Sequence, residues 1–501
     1  MGGSDADPVT PPGRAGRLWA AGRIEPMQSV ADSLARLRSL AESPVVAKLA
    51  TAFDEAGLEL ALVGGPVRDA LLGRAVHDLD FTSNGRPEDI LRVVGPLADA
   101  TWDVGRAFGT IAARVDGESV EITTYRADSY DGETRKPTVE FGDELEGDLV
   151  RRDFTVNALA LRVPEIKLVD PSGGVEDLMR RVLRTPIAAS VSFGDDPLRM
   201  LRAARFAAQL GFEVAPETVD AMTGMRDSLS IVSAERIRDE LVKLLSSDTP
   251  RPGLELLVHT GLAELVLPEL PALQLQIDAE HHHKDVYEHS LTVLEQAIGY
   301  EHSRHPGAAP DLTLRLAALL HDIGKPATRK LEPGGAVSFY NHDLVGARLA
   351  RKRLRALRFD NDTVGDVSRL IELHLRFFGY TDGEWTDSAV RRYVRDAGDQ
   401  LERLHILTRS DVTTRNKRKA DRLGFAYDDL EERIARLKEQ EEMEAIRPDL
   451  NGDEVMALLG LKPGPEVGRA MKFLMELRLD EGPLGPEEAR RRLTAWWQAQ
   501  G

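Results

Sequence analysis

Asp78 and Asp80 stand two apart in His77-Asp78-Leu79-Asp80-Phe81-Thr82, a stretch with the composition of a β-strand. Residues two apart in a strand point to the same side, so this spacing predicts two carboxylates side by side, with Leu79 facing the core. Like charges this close repel unless a cation lies between them. Mg2+ suits the position, because it prefers oxygen ligands and completes its shell with water and substrate phosphates. Just upstream runs Gly64-Gly65-Pro66-Val67-Arg68-Asp69. Glycines let backbone N–H groups approach a phosphate closely, and the following helix N-terminus favours negative charge. A triphosphate on the turn and a metal on the strand make a phosphoryl-transfer layout. Two metals there could activate an attacking hydroxyl and stabilise a leaving pyrophosphate. Glu121, in Val120-Glu121-Ile122, is the candidate third carboxylate. Either half alone is also an ordinary glycine turn or an exposed acidic strand; their separation by one short helix points to function.

The elements that must position these groups follow from periodicity. Apolar spacing is helical from about Ser29 to Ala56, and Leu58 to Val63 is a strand. Pro66 takes the first position of a short helix to Leu72. His77–Thr82 is the second strand, Glu88–Ala98 a helix, and Trp102–Gly105, Thr110–Val115 and Ser119–Tyr125 are further strands. The expected class is α+β: a small mixed sheet with helices on one face, followed by a long helical body. Beyond Arg162 the chain turns mostly helical, with histidines concentrated between about His281 and Asp411 and a charged helical stretch from about Lys417. The expected domains are a disordered tail at 1–28, a head at 29–163, a helical neck at 164–275, a histidine-bearing body at 276–420 and a helical tail at 421–501.

The totals bound the answer. At 501 residues the chain is too long for one ordinary domain. It has no cysteine, which excludes disulfides, thiolate zinc sites and a cysteine nucleophile. The first residues, to roughly Pro26, lack the apolar core of a signal peptide, and Met27 is an alternative start. No apolar run approaches a membrane span, so a cytoplasmic location and no membrane partner are expected. The net charge of −18 argues against a surface coated for nucleic acid, although local basic patches act within an acidic average. Arg-rich stretches at 151–162, 199–205 and 351–358 are the candidates for an RNA-facing strip.

With these residues in view, the chain resembles the DNA polymerase β-like nucleotidyltransferase superfamily. More narrowly, it resembles the bacterial-type (class II) CCA-adding enzyme and poly(A) polymerase family. Arg151-Arg152-Asp153-Phe154-Thr155-Val156-Asn157-Ala158-Leu159 is similar to the family's RRDFT-NA motif, and Asp170-Pro171, Gly173-Gly174 and Glu176-Asp177 to the segment after it. Asp195-Asp196-Pro197-Leu198-Arg199-Met200-Leu201-Arg202-Ala203-Ala204-Arg205-Phe206 resembles its nucleotide-selecting helix, and Glu235-Arg236-Ile237 with Glu240 the last neck motif. The likeness runs over roughly residues 45 to 480. It implies nucleotide binding by Gly64, Gly65, Arg68, Arg152, Asp153, Asn157, Asp196, Arg199, Arg202 and Arg205, catalysis by Asp78, Asp80 and Glu121 with Mg2+, and ATP, CTP and tRNA as partners. The segment from Arg126 to Asp148, with Tyr130 and Arg135-Lys136-Pro137, resembles the mobile loop with which family members switch from C to A addition.

Side-chain chemistry gives Asp196 and Arg199 a role beside that resemblance. They are three apart, and on a helix they share a face. A carboxylate accepts from the exocyclic amino group of cytosine or adenine while a guanidinium donates to the ring nitrogen. Uracil and guanine would set acceptor against acceptor, which leaves a buried group unsatisfied. One such pair thus accepts C and A and rejects U and G without a template. An ordinary surface salt bridge has the same spacing.

His321-Asp322 ends the apolar stretch Leu312–Leu320, with His289 upstream and His342, His374 and Asp411 downstream. This spacing resembles the HD phosphohydrolase domain. The family's metal set implies His289, His321, Asp322 and Asp411 as ligands here, and His342 with His374 would fit a second metal. Imidazole with carboxylate suits a divalent transition metal better than Mg2+. Such a site could activate water against a phosphate ester, as a phosphatase or 2′,3′-cyclic phosphodiesterase. His281-His282-His283 are surface residues or substrate contacts. In the tail, Gly464-Pro465 leads into a helix whose N-terminus could hold an RNA phosphate. CCA addition is the leading expectation. A poly(A) polymerase uses the same residues, and a phosphohydrolase with a vestigial head or a noncatalytic RNA-binding protein are rivals from other classes.

Overall fold

The computed structural model describes residues 29–102, 109–126, 142, 144–275, 285–333, 337–377, 379–380, 385–413, 416–441 and 447–500. They fall into two compact units, Met1–Asp195 with Gly211–Thr218, and Asp196–Leu210 with Val219–Gly501. The stretch 164–275, expected as one neck, is shared between the two.

In the first unit, Ser29 caps α1 (Val30–Ala41) by accepting from the Asp32 amide. Pro44 then starts a separate helix, α2 (Pro44–Glu55), and so divides the stretch whose apolar spacing is continuous. The chain continues through β1 (Leu60–Val63), α3 (Gly65–Leu72), β2 (Leu79–Ser83), α4 (Pro87–Val94), β3 (Ala100–Trp102), β4 (Thr110–Val115), β5 (Glu118–Thr124) and α5 (Leu145–Val150). After these come β6 (Ala160–Val163), β7 (Lys167–Val169), α6 (Gly174–Arg180), β8 (Val182–Leu183) and α7 (Ala189–Asp195).

The sheet is mixed, with seven strands in the order β3-β4-β5-β2-β1-β6-β7. It is larger than expected, because β6 was not among the expected strands and β7 lies beyond Arg162, where the sequence turns helical. β6 pairs antiparallel to β1, placing Ala61 opposite Arg162 and Val63 opposite Ala160. That makes β1 central and buried along its whole length, which explains its unbroken run of apolar residues. β2 and β5 are the parallel pair, in a register that sets Asp80 beside Glu121. β2 begins at Leu79, so Asp78 precedes the strand instead of lying within it.

α8 (Leu198–Leu210) opens the second unit. The chain returns to the first through β9 (Glu213–Val214), which pairs with β8. α9 (Pro216–Met225), α10 (Ala234–Leu245), α11 (Arg251–His259) and α12 (Ala263–Val266) follow. α8 packs on α10 and α11, and Gly253 lets the backbones meet: a Cβ there would lie 2.4 Å from the Ala204 carbonyl oxygen. Next are α13 (Val286–Arg304), α14 (Leu312–Leu320), α15 (Lys325–Thr328), the hairpin β10 (Lys330–Leu331) and β11 (Val337–Ser338), α16 (His342–Ala356), and α17 (Asn361–Leu373). α18 (Asp387–Ala397), α19 (Leu401–Ser410) and the long α20 (Lys417–Glu441) come next. α21 (Gly452–Leu459), α22 (Pro465–Glu481) and α23 (Pro486–Gln498) share a small core of Leu450, Val455, Ala470, Leu474, Ala489 and Leu493. No helix among the described residues is long and apolar enough to cross a membrane.

One buried ion pair fixes α14. Arg315 is fully buried and pairs with Glu301 of α13 at 3.0 Å, while its Nη1 donates to the carbonyls of Leu245 and Ser247 at 2.8 Å each. Those carbonyls lie at the end of α10, where a helix has no internal donors left to offer. Arg315→Met leaves Glu301 buried without its partner. We expect it to destabilise the second unit by about 3–5 kcal/mol, seen as an earlier urea midpoint for that unit alone.

Candidate functional site

The glycine turn forms as its residue types require. Gly64 has φ 73°, a conformation other residues adopt with strain, and it leads into α3 with Pro66 in the first turn. A Cβ on Gly64 would lie 3.3 Å from Arg152 Nη1, so the guanidinium rests on the turn. Arg68 Nη1 donates to Asn157 Oδ1 at 2.7 Å, and Asn157 Nδ2 donates to Asp153 Oδ1 at 3.0 Å. Arg68, Asp153 and Asn157 are all buried. The structure therefore joins the turn and the Arg152–Asn157 segment, far apart in sequence, into one basic cradle. Sequence reasoning missed the partner of Arg152: Asp148 Oδ2 accepts from its Nη2 at 3.2 Å, and the i,i+4 spacing is the signal that was available.

Beside this cradle are the carboxylates. Asp80 is half-buried, and Asp78 and Glu121 are exposed. Burial pushes the Asp80 carboxyl up to about 6; Glu121 and then Asp78 add to the rise, and Arg152 opposes it. A half-buried carboxylate raised by two like neighbours is relieved by a cation, so an oxygen-only donor set of this kind fits a hard ion such as Mg2+. The register places Glu121 on the strand next to Asp80, as a third ligand would require.

In the second unit, Asp196 precedes α8 instead of sharing its face. Its Oδ1 accepts from the Leu198 amide at 3.1 Å, and its Oδ2 pairs with Arg236 at 2.9 Å. Arg199 is in the first turn of α8. Arg205 Nε lies 2.7 Å from the buried Glu240, and Arg202 3.9 Å from the same residue.

The body histidines converge. His289 comes from α13, His321 and Asp322 from the end of α14, His342 from the start of α16, His374 from the end of α17 and Asp411 from the end of α19. They form two groups: His289, His321 and Asp411; and Asp322, His342 and His374. Within each, one ligand atom per residue lies within 4.8 Å of the others. This divides the expected ligands differently, since Asp322 belongs with His342 and His374. Its carboxylate nevertheless straddles both groups: Oδ2 is 3.2 Å from His321 Nε2 and 3.5 Å from His289 Nε2, and Oδ1 is 3.3 Å from His342 Nε2. His289 Nε2 lies 2.8 Å from Asp411 Oδ1.

Each ring is oriented from behind. The Nδ1 atoms of His321, His342 and His374 lie 2.8, 2.8 and 2.6 Å from the carbonyls of Ala318, Phe339 and Ile371. That contact fixes the tautomer and aims Nε2 inward, as metal-binding histidines require. The Nε2 atoms of His342 and His374 are buried without a hydrogen-bond partner, which a metal would satisfy. Lys325, three residues after Asp322, was not singled out by sequence; its Nζ lies 2.6 Å from Asp322 Oδ2. His281–His283, Tyr130 and Arg135–Pro137 lie outside the described residues.

Three profiles match the chain: the poly A polymerase head domain over residues 60–184, the probable RNA- and SrmB-binding site of polymerase A over 211–273, and the HD domain over 286–416. An A-adding tRNA nucleotidyltransferase of Deinococcus radiodurans is 38% identical over 447 residues, 87% of this chain and 95% of that protein. The chain belongs to the tRNA nucleotidyltransferase and poly(A) polymerase family. Another relative, the CC-adding tRNA nucleotidyltransferase of Thermus thermophilus, is 34% identical and matched over 93% of its length. A crystal structure of the Bacillus stearothermophilus CCA-adding enzyme in complex with CTP superposes with TM-score 0.64 at 25% identity, covering 91% of this chain and 99% of that one. In this family member the head profile spans the glycine turn, the carboxylates and the Arg152 cradle, and the HD profile spans all six candidate metal-binding residues of the body.

The body centre has a proton signature. Burial alone would lower His321, but Asp322 and then Asp411 outweigh it and hold the imidazole up to about 10. Burial and the neighbouring His321 push His374 down to about 4, so that ring is already neutral at pH 7.5. A metal needs neutral imidazole, so binding must expel the His321 proton. Calorimetric titration of the metal-free protein with Mn2+ at pH 7.5, in buffers of different ionisation enthalpy, should show about one proton released. A heat independent of the buffer would contradict this assignment.

Proposed function

We propose that this chain is a tRNA nucleotidyltransferase that transfers CMP and AMP from CTP and ATP to the tRNA 3′ end without a template, giving the sequence CCA and releasing pyrophosphate. The observation that carries this is the Asp78, Asp80 and Glu121 set beside the Gly64–Arg68–Arg152–Asn157 cradle. The 3′ hydroxyl loses its proton and attacks the α-phosphorus, and the bond to the β-phosphate breaks. Arg152 and Arg68 hold the triphosphate, while the glycine turn lets backbone amides approach it. Asp78 and Asp80, with Glu121, would hold a Mg2+, which would supply charge neutralisation at the reacting phosphate. Asp196 and Arg199 select the base, with Arg236 holding Asp196 when no base is present.

The relatives named A-adding and CC-adding support a second reading, in which this chain performs only part of the series. The paired histidine groups support a further activity, hydrolysis of a phosphate ester: His289, His321 and Asp411, and Asp322, His342 and His374, would each hold a transition metal that would activate water.

One assay separates these readings. The protein is incubated with Mg2+ and each labelled NTP on tRNA transcripts lacking CCA, CA or A, with oligo(A) as control. C, C and A followed by arrest supports CCA addition. Addition only of C's, or only of the final A, supports the divided series. Long A tails on any RNA would make it a poly(A) polymerase. Asp78→Ala should abolish addition and leave hydrolysis of p-nitrophenyl phosphate intact, whereas His321→Ala should do the reverse. Asp196→Ala should lower discrimination of C against U by about 10- to 100-fold, the cost of one unsatisfied buried group.

A further inference from the structure

α16 begins at His342 of the metal cluster and carries a basic face away from it. Leu344, Arg348, Lys352 and Arg355 are exposed at steps of four, four and three, which is one side of a helix. Arg348 donates to the Leu344 carbonyl, and none of Arg348, Lys352 and Arg355 has a carboxylate partner among the described residues. The other Arg-rich stretches differ: Arg152 pairs with Asp148, Arg162 with Glu59, and Arg205 with Glu240. On the opposite side of α16 itself, Arg353 pairs with Glu269. In a chain of net charge −18, three aligned unpaired cations are conspicuous. At a rise of 1.5 Å per residue, Arg348 to Arg355 spans about 10 Å. Four phosphates of a stacked strand, at about 3.4 Å per step, span the same length.

The end of this face nearest the cluster is apolar. Tyr340 is 70% exposed and Leu344 45%, and Leu331 on the adjoining hairpin is 73% exposed. Tyr340 follows Phe339, whose carbonyl lies against His342 Nδ1 and whose ring lies 5.7 Å from Lys325 Nζ. An exposed aromatic beside a line of cations is the pattern on which unpaired bases stack while their phosphates are held.

We propose that α16 is an RNA track: Arg348, Lys352 and Arg355 hold successive phosphates and Tyr340 stacks a base, so that the cluster receives the phosphate of an RNA terminus instead of a free nucleotide. The choice of substrate rests on the phosphohydrolase reading of the cluster; the RNA contact itself does not.

The test is the salt dependence of binding of a fluorescent single-stranded 12-mer RNA to the full-length protein. Each lost phosphate contact lowers the slope of log K against log [KCl] by about 0.7 on a single strand. R348Q/K352Q/R355Q should therefore reduce it by about 2, with unchanged circular dichroism. If the triple variant does not fold, R348Q and R355Q singly should each remove about 0.7. Tyr340→Ala should weaken binding about 5- to 150-fold, and Tyr340→Trp should restore it. An unchanged slope overturns the proposal. So does loss of binding to phosphatidylserine vesicles with the RNA slope intact, which would make the face a membrane contact. A metal-loaded wild type that hydrolyses no p-nitrophenyl phosphate would instead refute the phosphohydrolase reading and leave the slope to decide the track.

Discussion

A carboxylate cannot be buried alone, and Asp322, 1% exposed, is the clearest case in this chain. An isolated buried charge costs far more than any single packing contact returns. Asp322 is tolerated because His289, His321, His342 and Lys325 all converge on it, and those groups come from separate helices. The arrangement of α13, α14, α15 and α16 follows from that requirement. Helix ends serve it twice over. His321 and His374 lie where a helix runs out of internal donors, so their Nδ1 atoms meet free carbonyls and their Nε2 atoms are left for the centre. Arg315 extends the same logic one layer outward, holding α14 to the end of α10 through carbonyls that would otherwise be orphaned.

The head meets the opposite electrostatic problem by a different route. Asp78, Asp80 and Glu121 are gathered without a buried cationic side chain between them, and the half-buried Asp80 carries the strain as a raised carboxyl. Arg152 moderates this but is itself held by Asp148 and rests on the glycine turn. Basic groups thus line the glycine turn, and acidic groups lie beside it. The turn follows β1 and the carboxylates lie at β2 and β5, three strands that are adjacent in the sheet. This is why a short sequence window already hints at the site.

What was legible in the sequence was local. The Gly-Gly turn, the Asp-x-Asp pair and the histidine spacing are encoded within a few residues, and chemistry restricts what such sets can do. Strands β1, β2, β4 and β5 were also visible, because alternation and turn residues mark them, whereas β3 (Ala100–Trp102) precedes the expected Trp102–Gly105, most of which lies outside the described residues. β6 and β7 were not, since Ala160–Val163 is only four residues with Arg162 among them, too short for a period to show, and the motif before it drew attention to side chains instead of backbone. The strand start at Leu79 and the position of Asp196 ahead of α8 were missed because element ends depend on pairing and capping that periodicity does not report. The sharing of residues 164–275 between two units depends on β8 pairing with β9, a contact thirty residues apart that no local pattern announces.

Charge shows why totals mislead where positions inform. A net charge of −18 suggests a chain that repels nucleic acid, yet most of its arginines are neutralised pairwise by neighbouring carboxylates. Pairing of that kind is nearly silent at a distance, because opposite charges a few ångströms apart cancel within a Debye length of about 10 Å. The field that a polyanion meets is therefore set by the cations left over and by how they line up. On α16 three of them stand in register on an exposed face, whereas at the glycine turn Arg68 and Arg152 are each held by a carboxylate, Asp69 and Asp148. The two places answer the same acidic average differently: on α16 the cations stand without an acid, and at the glycine turn the guanidiniums are fixed in place by one.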